Sequence, residues 1–115
     1  KNLIIPLQTE FYALEGLTQL IKTLDLVQNN FNKDIKLQGI LLTMYDTRNK
    51  ISEMVSKDVK NHFGNKVFKT IIPRNVRVSE APSFGQPVLM YDINCPGSQA
   101  YAALAGEIIN KEKAL

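Results

Sequence analysis

Three arginines sit in segments with little bulk around them: Arg48 in "YDTRNK", and Arg74 and Arg77 in "IIPRNVRVSEAPSFGQP". A guanidinium is planar and donates in a fork, a geometry that suits phosphate oxygens. The same cations would serve equally as surface partners of Asp46 and Glu80, and spacing alone leaves both readings open. Asp46 and Glu80 could form an acid–base pair, but neither has a nucleophile beside it, so turn capping or salt bridging is the plainer reading. His62, in "KNHFG" at the end of a helical pattern, reads as a surface or C-terminal capping residue. Cys95, in the turn "DINCPG", reads as a structural thiol. No residue is assigned a catalytic role. The sequence lacks a phosphate-cradling G-x-x-x-x-G-K-[ST], and it lacks G-x-G-x-x-G, H-E-x-x-H and G-x-S-x-G.

Composition narrows the classes further. The chain of 115 residues is 44% apolar, ample for one core. A net charge of +3 permits an anionic partner without demanding one. One cysteine excludes an internal disulfide, and with a single histidine no metal site is expected. No apolar run approaches the roughly 20 residues that span a bilayer. A cytoplasmic setting without membrane attachment is the expectation. The sequence opens without methionine and enters a buried-strand pattern at once, as expected of a segment of a longer chain.

The elements that would position these residues alternate. "LIIPL" (3–7) and "GILLTM" (39–44) are continuous apolar runs typical of parallel strands covered on both faces. "VFKTII" (67–72) reads as a third, less buried strand, so strands are expected near 3–7, 38–44 and 67–72. Helices are expected near 11–30, 50–63 and 98–111. The first carries Leu14, Leu17, Leu20, Ile21, Leu24 and Val27 at helical spacing, with Thr9 as its N-cap and Glu10 in its first turn. The second carries Ile51, Met54, Val55, Val59 and Phe63 and ends at Gly64, a C-terminal cap. The third carries Tyr101, Leu104, Ala105, Ile108 and Ile109. Residues 73–90 are expected to be irregular apart from a turn near Val78–Ala81.

Strand–helix–strand–helix–strand predicts right-handed crossovers and a slice of a doubly wound, mostly parallel α/β sheet in one domain, 1–115. Ligands of such sheets sit beyond the carboxyl ends of the strands. Those ends are "QTEF", "YDTRNK" and "PRNVRVSEAPSFG", so Arg48, Arg74 and Arg77 could gather into one patch there.

Beyond these patterns, "IIPLQTEFYALEGLTQLI", "GILLTMYD", "KTIIPRNVRVSEAPSFGQPVLMYD" and the closing "GSQAYAALAGEII" occur in an order and spacing that resemble the C-terminal half of ParA/Soj chromosome-partitioning ATPases. The resemblance covers nearly the whole chain. It implies a deviant Walker P-loop NTPase fold whose full-length members bind ATP and Mg²⁺, dimerise around nucleotide and bind DNA without sequence preference. They hydrolyse ATP with a ParB-like centromere-binding partner on the nucleoid. The P-loop and the magnesium-binding acids of that family precede the segment matched here, so these residues alone are expected to bind no cofactor and hydrolyse nothing.

Residue by residue, the resemblance implies that Pro73, Arg74 and Asn75 frame the adenine base, with Thr43 and Met44 as the opposite wall. Arg48 and Arg77 match positions implicated in DNA binding. Glu10, Tyr12 and Glu15 fall in a segment near the dimer interface. The rival readings are a MinD-like ATPase, an iron–sulfur carrier ATPase, and a free-standing α/β DNA- or protein-interaction module without ATPase activity. The tail "INKEKAL" is too short and too weakly amphipathic for the membrane helix of the first. Cys95 has no partner for the paired-cysteine motif of the second.

Overall fold

A computed structural model describes residues 1–113. Strand β1 (Asn2–Gln8) leads to helix α1 (Ala13–Asn30), then strand β2 (Lys36–Thr43) and helix α2 (Lys50–Phe63). Short helices α3 (Val76–Glu80) and α4 (Val88–Tyr91) precede the last helix, α5 (Pro96–Lys113). β1 and β2 pair in parallel from Asn2↔Lys36 to Gln8↔Thr43, with a register shift between Leu3 and Ile4. A helical crossover between neighbouring strands gives this parallel pairing.

β2 is covered on both faces, as its unbroken apolar run requires. Ile40 and Leu42 point to one side and pack with Ile5, Leu17, Val55 and Val59. Leu41 points to the other and packs with Phe68, Ile72 and Leu104. β1 departs from that expectation: of its residues only Ile5 is buried, and Pro6 is exposed. In the two-stranded sheet β1 has β2 on one side and no described strand on the other. A proline, which cannot donate to a ladder, is tolerated in such an edge strand.

The third expected strand is not a continuous one. Residues 67–73 run beside β2 and the residues that follow it, with two isolated parallel bridges, Ile40↔Val67 within β2 and Tyr45↔Pro73 beyond its end. The physical reason lies between them. The N–H groups of Lys69 and Thr70 donate to the Glu107 carboxylate on α5, at 2.7 and 2.8 Å, instead of to the sheet.

Helix ends and faces also differ in detail. Thr9 does not cap α1, which begins at Ala13 after Tyr12 with no side-chain cap. Thr9 is buried instead, and its Oγ1 donates towards the carbonyls of Thr43 and Met44. α2 is capped by Asn49, whose Oδ1 accepts the Ile51 N–H at 2.9 Å. Gly64 ends it as expected, at a φ of 54° with its N–H on the Lys60 carbonyl. The buried face of α2 is Ser52, Val55, Ser56 and Val59, so Met54 and Ile51 turn outward. On α1 Leu17 and Leu24 are buried, whereas Leu20 is exposed. On α5 Leu104 is buried and Ile109 exposed. That helix runs through Lys113, so most of the "INKEKAL" tail is helical; Ala114 and Leu115 lie outside the described residues.

Residues 73–90 are more ordered than their prolines suggest. Beyond α3, a 3₁₀ turn covers Ala81–Phe84 and ends at Gly85 with a φ of 66°. Pro87 then precedes α4. Here proline and glycine punctuate short helical turns rather than abolish them. The segment is pinned by Tyr91, whose hydroxyl donates to Glu80 at 2.8 Å and whose ring stacks on Phe84 at 5.2 Å. α5 lies close against it, for a Cβ at Gly97 would collide with Val78 and come within 3.2 Å of Asn75 Oδ1.

Candidate functional site

The carboxyl ends of β1, β2 and the 67–73 segment are tied to one another by short contacts. Thr9 N–H donates to the Thr43 carbonyl at 3.1 Å, and Thr9 Oγ1 lies 3.2 Å from Ser52 Oγ. Ser52 Oγ in turn accepts the Asp46 N–H at 3.2 Å. On the far side, Tyr45 N–H donates to the Ile72 carbonyl and Arg74 N–H to the Tyr45 carbonyl, at 3.1 and 2.9 Å. Met44 sits at the centre with a φ of 55°, a left-handed conformation for a non-glycine residue.

Beside these ties lies a half-open hollow of about 160 Å³, bordered by Thr9, Phe11, Met44, Asp46, Ile51 and Arg74 among others. Its lining mixes apolar faces with hydroxyl, carboxylate and guanidinium edges, as a heteroaromatic base would need. Pockets for drug-sized ligands start at about 300 Å³, so this hollow fits a ring system rather than a whole nucleotide. Of the five residues expected to frame a base, Met44 and Arg74 line it. Thr43 and Pro73 do not border it; the Thr43 carbonyl accepts the Thr9 N–H and Pro73 pairs with Tyr45. Asn75 is turned towards Gly97, where its Oδ1 is buried and has no hydrogen-bond partner.

Arg48 and Arg77 are held at two separate acidic centres instead of forming a single patch with Arg74. Arg48 is held in a fork by Asp46, with Nε 3.1 Å from Oδ1 and Nη2 3.2 Å from Oδ2, though its side chain is 87% exposed. The side-chain and backbone hydrogen bonds from Arg48, with the charges of Arg48 and Arg74, hold the Asp46 carboxyl below its ordinary pKa. The hydrogen bond to Asp46 raises that of Arg48. Arg77 faces Glu80 at 3.8 Å and Asp92 at 3.4 Å. Its pKa is raised by the Tyr91 hydroxyl first and by these carboxylates after it. The Tyr91 pKa is raised, chiefly by its hydrogen bond to Glu80. Asp46 and Glu80 are therefore salt-bridging residues.

Glu10, Tyr12 and Glu15 lie in the β1–α1 connection and the first turn of α1, all exposed. Phe11 and Tyr12, each more than two-thirds exposed, form an edge-to-face pair at 4.9 Å. His62 is exposed in the last turn of α2, its Nδ1 2.8 Å from the Asp58 carbonyl. Cys95 is buried and its Sγ accepts the Ser98 N–H at 3.4 Å. Both match their plain readings. Missed in the sequence were Thr9 and Ser52 as ties between strand ends, and Glu107. A serine on an apolar helix face is the signal that could have pointed to Ser52. Glu107 gave none, because its partners are backbone groups that any residue would carry.

Comparison with known proteins agrees with the architecture. The model of the CobQ/CobB/MinD/ParA nucleotide binding domain matches residues 3–88. Chromosome partitioning protein ParA of Caulobacter vibrioides is 61% identical over 109 residues, 95% of this chain and 41% of that protein. Sporulation initiation inhibitor protein Soj of Bacillus subtilis is 50% identical over 107 residues, 93% of this chain and 42% of that protein. Among solved structures, cobyrinic acid a,c-diamide synthase from Mycobacterium smegmatis with bound ADP and magnesium superposes with a TM-score of 0.70 at 30% identity. That match covers 97% of this chain and 38% of the synthase. The chain thus spans about two fifths of the length of the relatives it matches. No helix among the described residues is long and apolar enough to cross a membrane. The chain belongs to the CobQ/CobB/MinD/ParA nucleotide-binding domain family, beside its ParA/Soj chromosome-partitioning members.

Proposed function

We propose that these 115 residues are the C-terminal part of a single ParA-like ATPase domain, serving chromosome or plasmid partitioning in the cytoplasm on the nucleoid. In this reading they supply the base slot, with Met44 and Arg74 as its lining and Thr43 and Pro73 next to them in the chain, while Asn75 faces Gly97 instead. Phosphates and Mg²⁺ are held by a P-loop and acids outside them. Arg48 and Arg77 face DNA phosphates, while Glu10, Tyr12 and Glu15 lie towards a second copy in the ATP-bound dimer. A ParB-like protein stimulates hydrolysis.

The observation that carries this reading is the convergence of the ends of β1, β2 and the 67–73 segment on one hollow of mixed lining, with Arg48 beside it. Ligands of open α/β sheets occupy that place.

A module that binds no nucleotide is favoured by one observation, that Arg48 and Arg77 already hold carboxylates. Exposed pairs of this kind contribute little, however, and a phosphate can displace one at small cost.

The test is DNA binding by the full-length protein across a salt series, on unrelated duplexes. Arg48→Ala and Arg77→Ala should each weaken binding about equally on every sequence. Each should also lower the salt slope by about one. Strong sequence preference, or an unchanged slope in the double variant, would refute the assignment of these arginines.

A further inference from the structure

The chain beside β2 carries more residues than β2 has partners for. Phe68 N–H donates to the Ile40 carbonyl and Ile72 N–H to the Leu42 carbonyl, both at 2.9 Å. Four steps along one segment therefore match two along the other. The surplus is Lys69 and Thr70, whose N–H groups are taken by Glu107 Oε2 and Oε1 at 2.7 and 2.8 Å. The Glu107 side chain is only 13% exposed, and Lys111 Nζ stands 3.7 Å from Oε2. The same ammonium lies 4.7 Å from the centre of the Phe68 ring, so one lysine braces both the carboxylate and the start of the bulge.

Immediately downstream the chain regains contact with β2, and two residues later it reaches Arg74, whose N–H is fixed on Tyr45. The bulge thus lies four residues before Arg74, which lines the strand-end hollow together with Met44. A carboxylate is suited to hold such a bulge, for it offers an acceptor to each of two adjacent N–H groups. A glutamine offers one oxygen and sets an N–H₂ against the second donor.

We infer that Glu107 is a positioning residue for the base slot, acting through the Lys69–Thr70 bulge. This rests on the reading of that slot as a site for adenine. Glu107 touches no ligand itself; it sets the register of the segment that does.

The experiment measures equilibrium binding of ATP, GTP and inorganic tripolyphosphate, each with Mg²⁺, to the full-length protein and to R74A, E107Q and E107D. Thermal melting establishes that each variant is folded. R74A should erode the preference for ATP over GTP. E107Q should erode it by about tenfold, a difference read directly as a ratio of Kd values. E107D, which keeps both acceptors on a shorter stem, should fall between E107Q and wild type. Tripolyphosphate, having no base, should bind all four alike. If R74A shifts the preference while E107Q leaves it unchanged, or weakens all three ligands equally, the role of Glu107 is overturned and the slot stands. If wild type shows no preference, or R74A leaves it intact, the slot reading fails and this inference with it. Should E107Q not fold, E107D decides: a reduced preference at unchanged tripolyphosphate affinity supports the role, and an unchanged preference overturns it.

Discussion

Met44 is held where an L-amino acid is strained. Its φ of 55° places it in the left-handed region, at a cost of roughly 1–2 kcal/mol for a residue with a Cβ. Thr9 Oγ1 secures it through the Thr43 and Met44 carbonyls, each at 3.1 Å. Strain of this kind clusters where a protein needs a side chain in one place, and Met44 lines the strand-end hollow. Two truncations separate backbone strain from lost packing, since both remove the same thioether. Met44→Gly should be more stable than Met44→Ala by about 1 kcal/mol, after allowing for the greater unfolded-state freedom of glycine. That order reverses the usual preference for alanine, and denaturant titration of the two variants would reveal it. Alanine proving the stabler would mean that the turn is not strained. Nothing in "LLTMYD" announces this conformation, because methionine carries no left-handed preference and the demand comes from the neighbouring strand end.

Among the elements, those written in local chemistry were legible. The run Ile40–Leu41–Leu42 implied a strand covered on both faces, and Gly64 implied the end of α2. Several places where sequence reading failed share one cause, a distant partner that competes with the local preference. Thr9 has the chemistry of a helix cap but is claimed by β2 and Ser52, and α2 is rotated so that its serines face inward. "VFKTII" has the composition of a strand, yet its middle is claimed by Glu107. The consequence is measurable by amide exchange. Desolvation pushes the Glu107 pKa up, but hydrogen bonds from Lys69 and Thr70, with the Lys111 charge, outweigh it and leave the folded value below the ordinary 4.5. A carboxylate lowered in this way stabilises fully above pH 4.5, and that contribution fades as pH falls through the folded value. On acidification below 4.5 the Lys69 and Thr70 amides should lose protection before those of Phe68 and Ile72, which bond to β2. Simultaneous loss at all four positions would show that the bulge and the sheet open as one unit.

At the scale of the whole molecule the packing is open. The radius of gyration is 15.2 Å, against about 13 Å for a compact domain of this length. Phe11, Tyr12, Phe84, Met90 and Ile93 are each more than 60% exposed. The outer edge of β1 has no partner among the described residues, and an open edge is a template for another chain. The isolated 115-residue chain should therefore sediment above its monomer mass with increasing concentration, and bind ATP with Mg²⁺ at best very weakly, without hydrolysing it. A stable monomer with micromolar affinity for ATP would contradict both expectations. The open edge of β1 also offers a place for complementation. A polypeptide that lays a strand along it in trans would turn a rim into an interior, and its addition should dissolve the assemblies that the bare edge creates.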